Sequence, residues 1–144
     1  MTHQLNFVYN DSDWICPSEY PDLSQATEIA IDLETKDPNI KTKGPGWATF
    51  DGHIVGFAVA ALGQQWYFPI AHDAGGNMDL SMTTAWMQDV LKTPATKIFH
   101  NASYDVGWLL VNGFEIRGQI VDTMIAAALI NENRFSFSLN ACAK

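Results

Sequence analysis

A short apolar run that ends in two carboxylates is the feature that most limits what this chain can fold into. Ile29-Ala30-Ile31 predicts a buried strand, and Asp32 and Glu34 follow at its carboxyl end. Residues two apart in a strand point to the same face, so we expect both carboxylates at one place. Like charges this close repel each other, and a hard divalent cation such as Mg²⁺ would relieve that repulsion. The alternative is a strand that ends in a solvated acidic loop.

A second strand-to-helix junction supplies another carboxylate. Segment 97–114 begins as a short apolar strand and then continues with apolar residues at helical spacing. Asn101 is a favourable N-cap residue, which places Asp105 near the start of the predicted helix. If the two strands are neighbours, Asp105 meets the other two carboxylates at the carboxyl ends of the strands, where open α/β sheets keep their sites.

Length and composition predict one soluble domain. The chain has 144 residues, of which 47% are hydrophobic, enough for a substantial core. No apolar run approaches the length that crosses a bilayer, and the first residues lack the features of a signal peptide. Cys16 and Cys142 lack Cys-x-x-Cys spacing, so we interpret them as reduced thiols. We therefore expect a cytoplasmic protein.

The two acidic segments resemble the motifs of a known nuclease family. Asp32-Leu-Glu34-Thr35 resembles the first motif of the DEDD 3′→5′ exonucleases, and Asn101-Ala-Ser-Tyr104-Asp105 resembles the second. Flanking segments such as Val121-Asp-Thr-Met124 are similar to the proofreading domain of family A DNA polymerases, especially those of phages. The resemblance covers the chain from about residue 26 onward, with residues 1–25 weakly matched. It implies a ribonuclease H-like α/β fold, in which a mixed sheet with a three-stranded antiparallel part and further parallel strands is flanked by helices.

The third motif of that family, Tyr-x-x-x-Asp or His-x-x-x-x-Asp on a late helix, is missing. No Asp follows Asp122 and no Tyr follows Tyr104. We therefore expect residues 1–144 to form a single exonuclease domain that is incomplete at its C-terminus, without the last helices and with weak or no activity.

The resemblance also implies a cofactor, partners and a set of site residues. It implies two Mg²⁺ or Mn²⁺ ions, the 3′ end of single-stranded DNA as substrate, a polymerase domain in the intact protein and no membrane. The residues that match the metal-binding and catalytic positions are Asp32, Glu34 and Asp105. Those that match positions in contact with the terminal nucleotide are Thr35, His100, Asn101 and Tyr104.

Two alternatives stay open. A ribonuclease D-like 3′→5′ exoribonuclease shares both motifs, and a non-catalytic nucleic-acid-binding or structural remnant would tolerate the missing carboxylate. The net charge of −8 is an objection to tight unaided nucleic-acid binding, which depends on Lys and Arg. Bound cations would reverse the local potential of a carboxylate site, and other domains of a polymerase could hold the duplex.

The rest of the chain predicts the elements around the site. Strands are expected at 5–9, 54–62, 65–70, 98–99 and 119–121, and helices at 78–91, 103–112 and 122–130. Segment 35–51 is rich in Pro and Gly and predicts a long loop leading away from the site. Asp122 is expected to cap a helix, His72 to be solvated, and Trp66, Tyr67 and Phe68 to serve packing rather than base stacking.

Overall fold

The described residues form a sheet of five strands. The computed structural model describes residues 14–143, so the strand expected at 5–9 lies outside the described part. The strands are β1 (Glu28–Lys36), β2 (His53–Ala61), β3 (Gln64–Pro69), β4 (Thr96–Phe99) and β5 (Ile120–Asp122). Their spatial order is β3-β2-β1-β4-β5, with β3, β2 and β1 antiparallel and β1, β4 and β5 parallel. The predicted mixed sheet of a ribonuclease H-like fold is confirmed.

In the described part of the chain, six helices accompany the sheet. They are α1 (Ile40–Lys43), α2 (Gly46–Thr49), α3 (Leu80–Lys92), α4 (Ala102–Val111), α5 (Thr123–Ile130) and α6 (Leu139–Cys142). Among residues 14–143, no helix combines the length and the apolar character needed to cross a bilayer.

The segment between β1 and β2 differs from the prediction. It was expected to be a loop that leads away from the site, but α1 and α2 form within it and α2 packs on α4. Glycines make this approach possible. A Cβ at Gly46 would lie 2.8 Å from the ring of Trp108, and a Cβ at Gly107 would lie 2.4 Å from the ring of Trp47. The missing side chains let the segment return to the helix that carries Asp105.

A tight turn at Leu62-Gly63 joins β2 to β3. Both residues have positive φ, at 54° and 74°, which is the backbone of a two-residue hairpin turn that matches the twist of the strands. The sequence predicted the turn at Gly63-Gln64, one residue later. The difference arises because Leu62, an unusual residue for positive φ, takes the first turn position.

The core lies between one face of the sheet and helices α3 and α4. Along β1 the buried residues are Ile29, Ile31 and Leu33, while Asp32 and Glu34 between and after them are exposed. The helices contribute Met87 and Leu109, among others, to the same cluster of buried residues. This alternation places the apolar residues of β1 on the helix side and its two carboxylates on the opposite face.

The buried amine of Lys97 holds together the segments around the start of β4. The Lys97 side chain has no solvent exposure, and its Nζ donates hydrogen bonds to the carbonyl oxygens of Thr93 (2.5 Å), Ala95 (3.0 Å) and Arg117 (2.8 Å). Burial lowers the pKa of this amine. Lys97 thereby joins the turn after α3 to the segment that leads into β5.

Candidate active site

The first motif places Asp32 and Glu34 on one exposed face of β1, as predicted. Asp32 lies opposite Ala58 of β2, and Glu34 lies opposite Gly56. The register shifts after Glu34, because the next residue, Thr35, pairs with Ile54. A bulge of this kind re-aims the side chains that follow it, and here it lies at the end of the predicted acidic motif.

Asp105 comes to the same end of β1 from α4. β4 pairs with β1 only as far as Ala30, so the later residues of β1 have no neighbouring strand on that side. Asp105 fills part of the gap, because its Oδ1 accepts a hydrogen bond from the backbone N–H of Leu33 at 3.2 Å. Its side chain is buried, with 3% of its surface exposed. The Asp105 carboxylate thus supplies the hydrogen-bond acceptor that a neighbouring strand would otherwise provide.

The charge of Asp32 acts on Asp105. Burial, reinforced by the negative charge of Asp32, raises the pKa of Asp105 to about 7. Burial also raises the pKa of Asp32, although the nearby His100 opposes that shift. Burial is therefore the main reason that both aspartates are harder to ionise than in water.

The three predicted carboxylates do not form a preorganised metal-binding site in the described residues. Across residues 14–143, no three acidic, histidine or cysteine side chains are grouped so that they could together hold a metal ion. Asp32 and Asp105 interact, and Glu34 faces the same side as Asp32. A site formed by all three stays a prediction.

Thr35 and Tyr104 are brought together by hydrogen bonds. Thr35 Oγ1 lies 2.8 Å from the Tyr104 hydroxyl, and that hydroxyl donates to Asp37 Oδ2 at 2.9 Å. The backbone N–H of Gly46 donates to the same Asp37 oxygen at 2.8 Å. Asp37 was not among the predicted site residues. It could not be found from the motif, because its role depends on the return of segment 37–52 to α4.

His100 is already engaged by the protein through both ring nitrogens. Nδ1 lies 2.9 Å from Thr123 Oγ1, and Nε2 lies 2.8 Å from the carbonyl oxygen of Phe137. The side chain also lines the cleft beside Asp32. Direct contact of a ring nitrogen with a nucleotide would therefore require one of these bonds to break.

Asn101 stands at the N-cap position of α4, but its side chain makes no capping hydrogen bond, so that part of the prediction is wrong. The residue has a left-handed backbone with φ of 68°, a conformation that Asn tolerates. A capping residue normally has extended backbone angles, from which its side chain reaches the first N–H groups of the helix. The Asn101 side chain instead accepts a hydrogen bond from Ser103 Oγ at 3.3 Å.

Asp122 caps α4 in place of Asn101. It also caps α5, as predicted. Its carboxylate accepts from the backbone N–H groups of Asn101 (3.1 Å) and Ala102 (2.8 Å) at the start of α4. It also accepts from Met124 (2.9 Å) and Ile125 (3.3 Å) at the start of α5. Burial opposes ionisation, but the four backbone donors together lower the pKa of this carboxyl.

Tyr67 and His72 form a further pair near the acidic motif. The Tyr67 hydroxyl and His72 Nε2 are hydrogen-bonded, so His72 is not simply solvated, as was expected. Burial, together with the charge of Glu34, raises the pKa of Tyr67 to about 12. Gly56 leaves the room for this ring, since a Cβ there would lie 2.1 Å from the Tyr67 hydroxyl oxygen.

An apolar cleft extends from the acidic end across the exposed face of the sheet. It has a volume of about 610 Å³. Its lining includes Asp32, Ala58, Trp66, Tyr67, His100 and Thr123. Trp66 is half-buried and Phe68 is fully buried, in agreement with the packing roles predicted for them.

Comparison with known proteins identifies the family. Residues 20–144 match the family model described as 3′-5′ exonuclease. The chain belongs to this 3′-5′ exonuclease family. It is 33% identical over 145 residues to the DNA-directed DNA polymerase of Pseudomonas phage M6, and 29% identical over 127 residues to DNA polymerase DpoZ of Salmonella phage PMBT28. These alignments cover 96% and 87% of this chain, but the chain spans only 22% and 18% of those polymerases.

Solved structures share the exonuclease fold. The polymerase domain of Pol1 from M. smegmatis, in complex with DNA primer-template and dNTP, has a TM-score of 0.57 at 20% identity, covering 82% of this chain and 18% of that one. NrnC of Brucella melitensis with bound Mg²⁺ has a TM-score of 0.57 at 22% identity, covering 85% of this chain and 55% of that one. At these identities the likeness establishes the fold alone.

Proposed function

We propose that this chain is the 3′→5′ proofreading exonuclease domain of a phage-type DNA polymerase and removes nucleotides from the 3′ end of DNA. The observation that carries this proposal is the hydrogen bond between Asp105 and Leu33. It anchors the second motif of the exonuclease family at the end of the strand that bears the first. Family membership and the phage polymerase relatives give the reaction class.

The donor chemistry of this site fits a divalent cation. Asp32, Glu34 and Asp105 offer the hard carboxylate oxygens that Mg²⁺ and Mn²⁺ prefer, and a bound cation would offset the burial that raises the pKa values of Asp32 and Asp105. The 3′-5′ exonuclease family depends on divalent metal ions. In the proposed enzyme these three residues would hold two such ions, whose chemistry is activation of water and stabilisation of charge at the phosphoryl group.

The remaining predicted residues would bind and orient the strand end. Thr35 and Tyr104 present linked hydroxyl groups directly after the acidic motif. His100 borders the cleft beside Asp32, and Asn101 would contact the terminal nucleotide from the start of α4. These four residues would position the DNA strand end and would take no direct part in cleavage of the phosphodiester bond.

The partners and the location that we propose for the domain are suggested by its relatives. We propose that a polymerase region in the same protein holds the DNA, which answers the objection raised by a net charge of −8. The proposed location is the cytoplasm of the host cell. We also propose that residues 1–144 lack the tyrosine and fourth carboxylate of a third motif, so that hydrolysis by this chain alone is slow.

The test is hydrolysis of a 5′-labelled single-stranded DNA by residues 1–144 with Mg²⁺ or Mn²⁺. We expect a slow ladder of products that shorten from the 3′ end, abolished by EDTA and by Asp32→Ala. An RNA strand of the same sequence should be degraded more slowly. The exposed Asp89→Ala on α3 serves as the matched control and should keep the rate of the parent protein.

Three results would contradict the proposal in different ways. Faster degradation of RNA would favour the exoribonuclease alternative. Cleavage that persists in Asp32→Ala would exclude the predicted site. If calorimetry detects no binding of Mg²⁺ or Mn²⁺ and no DNA is shortened, the chain is a non-catalytic module.

A further inference from the structure

Positive charge in this acidic chain is concentrated directly after the first acidic motif. Three of its eight Lys and Arg residues, Lys36, Lys41 and Lys43, lie within eight consecutive positions. Lys36 ends β1 two residues after Glu34, and the other two lie on α1, which contains no carboxylate. The function proposed above makes no use of this concentration of charge.

Two of these lysines are available to bind an anion. Lys41 is exposed and forms no ion pair within the described part of the chain. The Lys43 amine is 3.9 Å from Asp51 Oδ2, which is longer than a hydrogen bond. Lys36, by contrast, is paired with Asp73 at 2.9 Å. A phosphate can therefore reach Lys41 and Lys43 without displacing a close carboxylate.

The two carboxylates of the β1–β2 segment, residues 37–52, are engaged by the protein itself. Asp37 Oδ2 accepts hydrogen bonds from the Tyr104 hydroxyl at 2.9 Å and from a backbone N–H at 2.8 Å. Asp51 Oδ2 accepts one from the side-chain amide of Asn39 at 2.6 Å. Because these donors partly offset the negative charge, the two carboxylates repel an approaching anion less than free carboxylates would.

An exposed aromatic side chain lies on the same segment. Phe50 is 91% exposed and follows α2 with a left-handed backbone, at φ 55° and ψ 40°. Glycine is the usual residue at such helix ends, and this conformation is uncommon for a bulky side chain. Packing does not explain a phenylalanine here, because most of the ring is in contact with solvent. An exposed aromatic ring is a surface on which a nucleic-acid base can stack.

The fold holds Phe50 close to the acidic motif. α2 packs on α4, with the ring of Trp47 against Gly107. After Phe50 the chain returns to the end of β1, since a Cβ at Gly52 would lie 2.1 Å from the carbonyl oxygen of Lys36. Residues two apart in a strand are separated by about 7 Å, so the segment begins and ends within a short distance of the motif. A strand whose end lies at the motif can therefore extend over this segment.

We propose that the β1–β2 segment is a binding site for single-stranded DNA, in which Lys41 and Lys43 contact phosphates and Phe50 stacks on a base. This inference rests on the proposed exonuclease function, which brings a DNA strand to the motif. It adds a site for the part of the strand behind the terminal nucleotide. Because the cations of this site are side chains, it binds DNA without divalent ions.

The first test measures the salt dependence of binding. Residues 1–144 are titrated against a 5′-labelled oligothymidylate of about 16 nucleotides, the upper end of common single-strand site sizes. Fluorescence anisotropy is recorded in EDTA over a series of KCl concentrations. Loss of one phosphate contact should reduce the slope of log K against log[KCl] by about 0.7, and we expect this in Lys41→Gln and in Lys43→Gln. The matched control Lys92→Gln changes an exposed lysine of α3 and should leave the slope unchanged.

The second test uses the same assay to examine stacking. Phe50→Ala should weaken binding by about 5-fold to 100-fold without changing the slope, because it removes a stacked ring and no charge. Phe50→Trp should keep the affinity, whereas Phe50→Leu, which is apolar but not aromatic, should weaken binding as Phe50→Ala does. The matched control Phe135→Ala removes another exposed ring and should leave the affinity unchanged. Thermal unfolding of each variant shows whether it is folded.

The outcomes separate this inference from the function on which it rests. Absence of binding by the parent protein in EDTA, or unchanged slopes in both lysine variants, would overturn the site and leave the metal-dependent hydrolysis to its own test. Full affinity of Phe50→Ala or of Phe50→Leu would also overturn it, and would assign the ring to contact with another region of the protein. Equal weakening by Phe135→Ala would show that the segment has no special role. Binding that depends on Phe50, in a protein that shortens no DNA with Mn²⁺, would keep the site and overturn the exonuclease proposal.

Discussion

The Asp105 carboxylate completes the hydrogen bonding of β1 at Leu33, where the sheet has no neighbouring strand. Its Oδ1 lies 3.2 Å from the Leu33 backbone nitrogen, and the side chain is buried. The same group is a proposed metal ligand and therefore has to be ionised to act. Structure and chemistry thus place opposite demands on one residue, because burial favours its neutral form.

Replacement of Asp105 by Asn should stabilise the protein above neutral pH in the absence of divalent ions. The folded pKa of about 7 lies above the ordinary value of 3.8. The stabilising contribution of the neutral carboxyl is therefore full below pH 3.8 and is lost as the pH rises through 7. Asn keeps the acceptor for Leu33 without the charge. We expect a gain on the order of 3 kcal/mol in the free energy of unfolding at pH 8, measured by urea denaturation.

The control for this comparison is Asp89→Asn, which changes an exposed carboxylate of α3. It should leave the dependence of stability on pH as in the parent protein. A parent protein whose stability changes between pH 4 and 8 no differently from that of Asp105→Asn would contradict the assigned shift.

Mg²⁺ or Mn²⁺ should raise the melting temperature at pH 8. A ligand that binds only the folded state stabilises it by about 1.4 kcal/mol at ten times its dissociation constant. Asp32→Asn should reduce the effect strongly, because it removes one of the two interacting aspartates. Calorimetry near pH 6.5 should also show proton release, since Asp105 is partly protonated there. An equal rise in the parent and in Asp32→Asn would place the ion elsewhere.

Asp122→Ala should destabilise the protein more than Asp79→Ala. Asp79 caps only α3, through one bond to the backbone N–H of Met82 at 2.8 Å, and its loss should cost about 1 kcal/mol. Asp122 caps both α4 and α5, so its loss should cost about twice as much. Urea denaturation of the two variants measures the difference. Equal losses would show that the bonds to α4 contribute nothing.

Gly56→Ala should displace the Tyr67 ring. The added Cβ would lie 2.1 Å from the phenol oxygen and 2.5 Å from Cζ, and such overpacking costs about 1–3 kcal/mol. Tyr67→Val in the same protein removes the clash, so the two changes should be strongly non-additive in a double-mutant cycle. Additive effects would mean that the ring is not confined by Gly56.

Much of the fold could be predicted from local patterns. The alternation of β1 and the helical spacing after β4 placed Asp32, Glu34 and Asp105 on the correct elements, because these patterns report which side of an element is buried. The hairpin was also predicted, one residue late at its turn. The mixed sheet was inferred from the family resemblance together with the order of the elements.

Contacts between distant segments could not be predicted in this way. The bond from Asp37 to Tyr104 and the burial of Lys97 depend on how segments pack after folding, and neither residue has a local signature. Asn101 illustrates the same limit. Its residue type favours capping, but the left-handed backbone at the β4–α4 junction transfers that role to Asp122, which lies on another strand.

The double cap by Asp122 has a consequence for synthesis of the protein. Asp122 follows Ala102, whose N–H it binds, by 20 residues, so the ribosome produces α4 well before it produces the cap. Until Asp122 has left the exit tunnel, the first backbone N–H groups of α4 lack their carboxylate acceptor. The proposed active site can therefore be fully assembled only after translation has passed the β5–α5 junction.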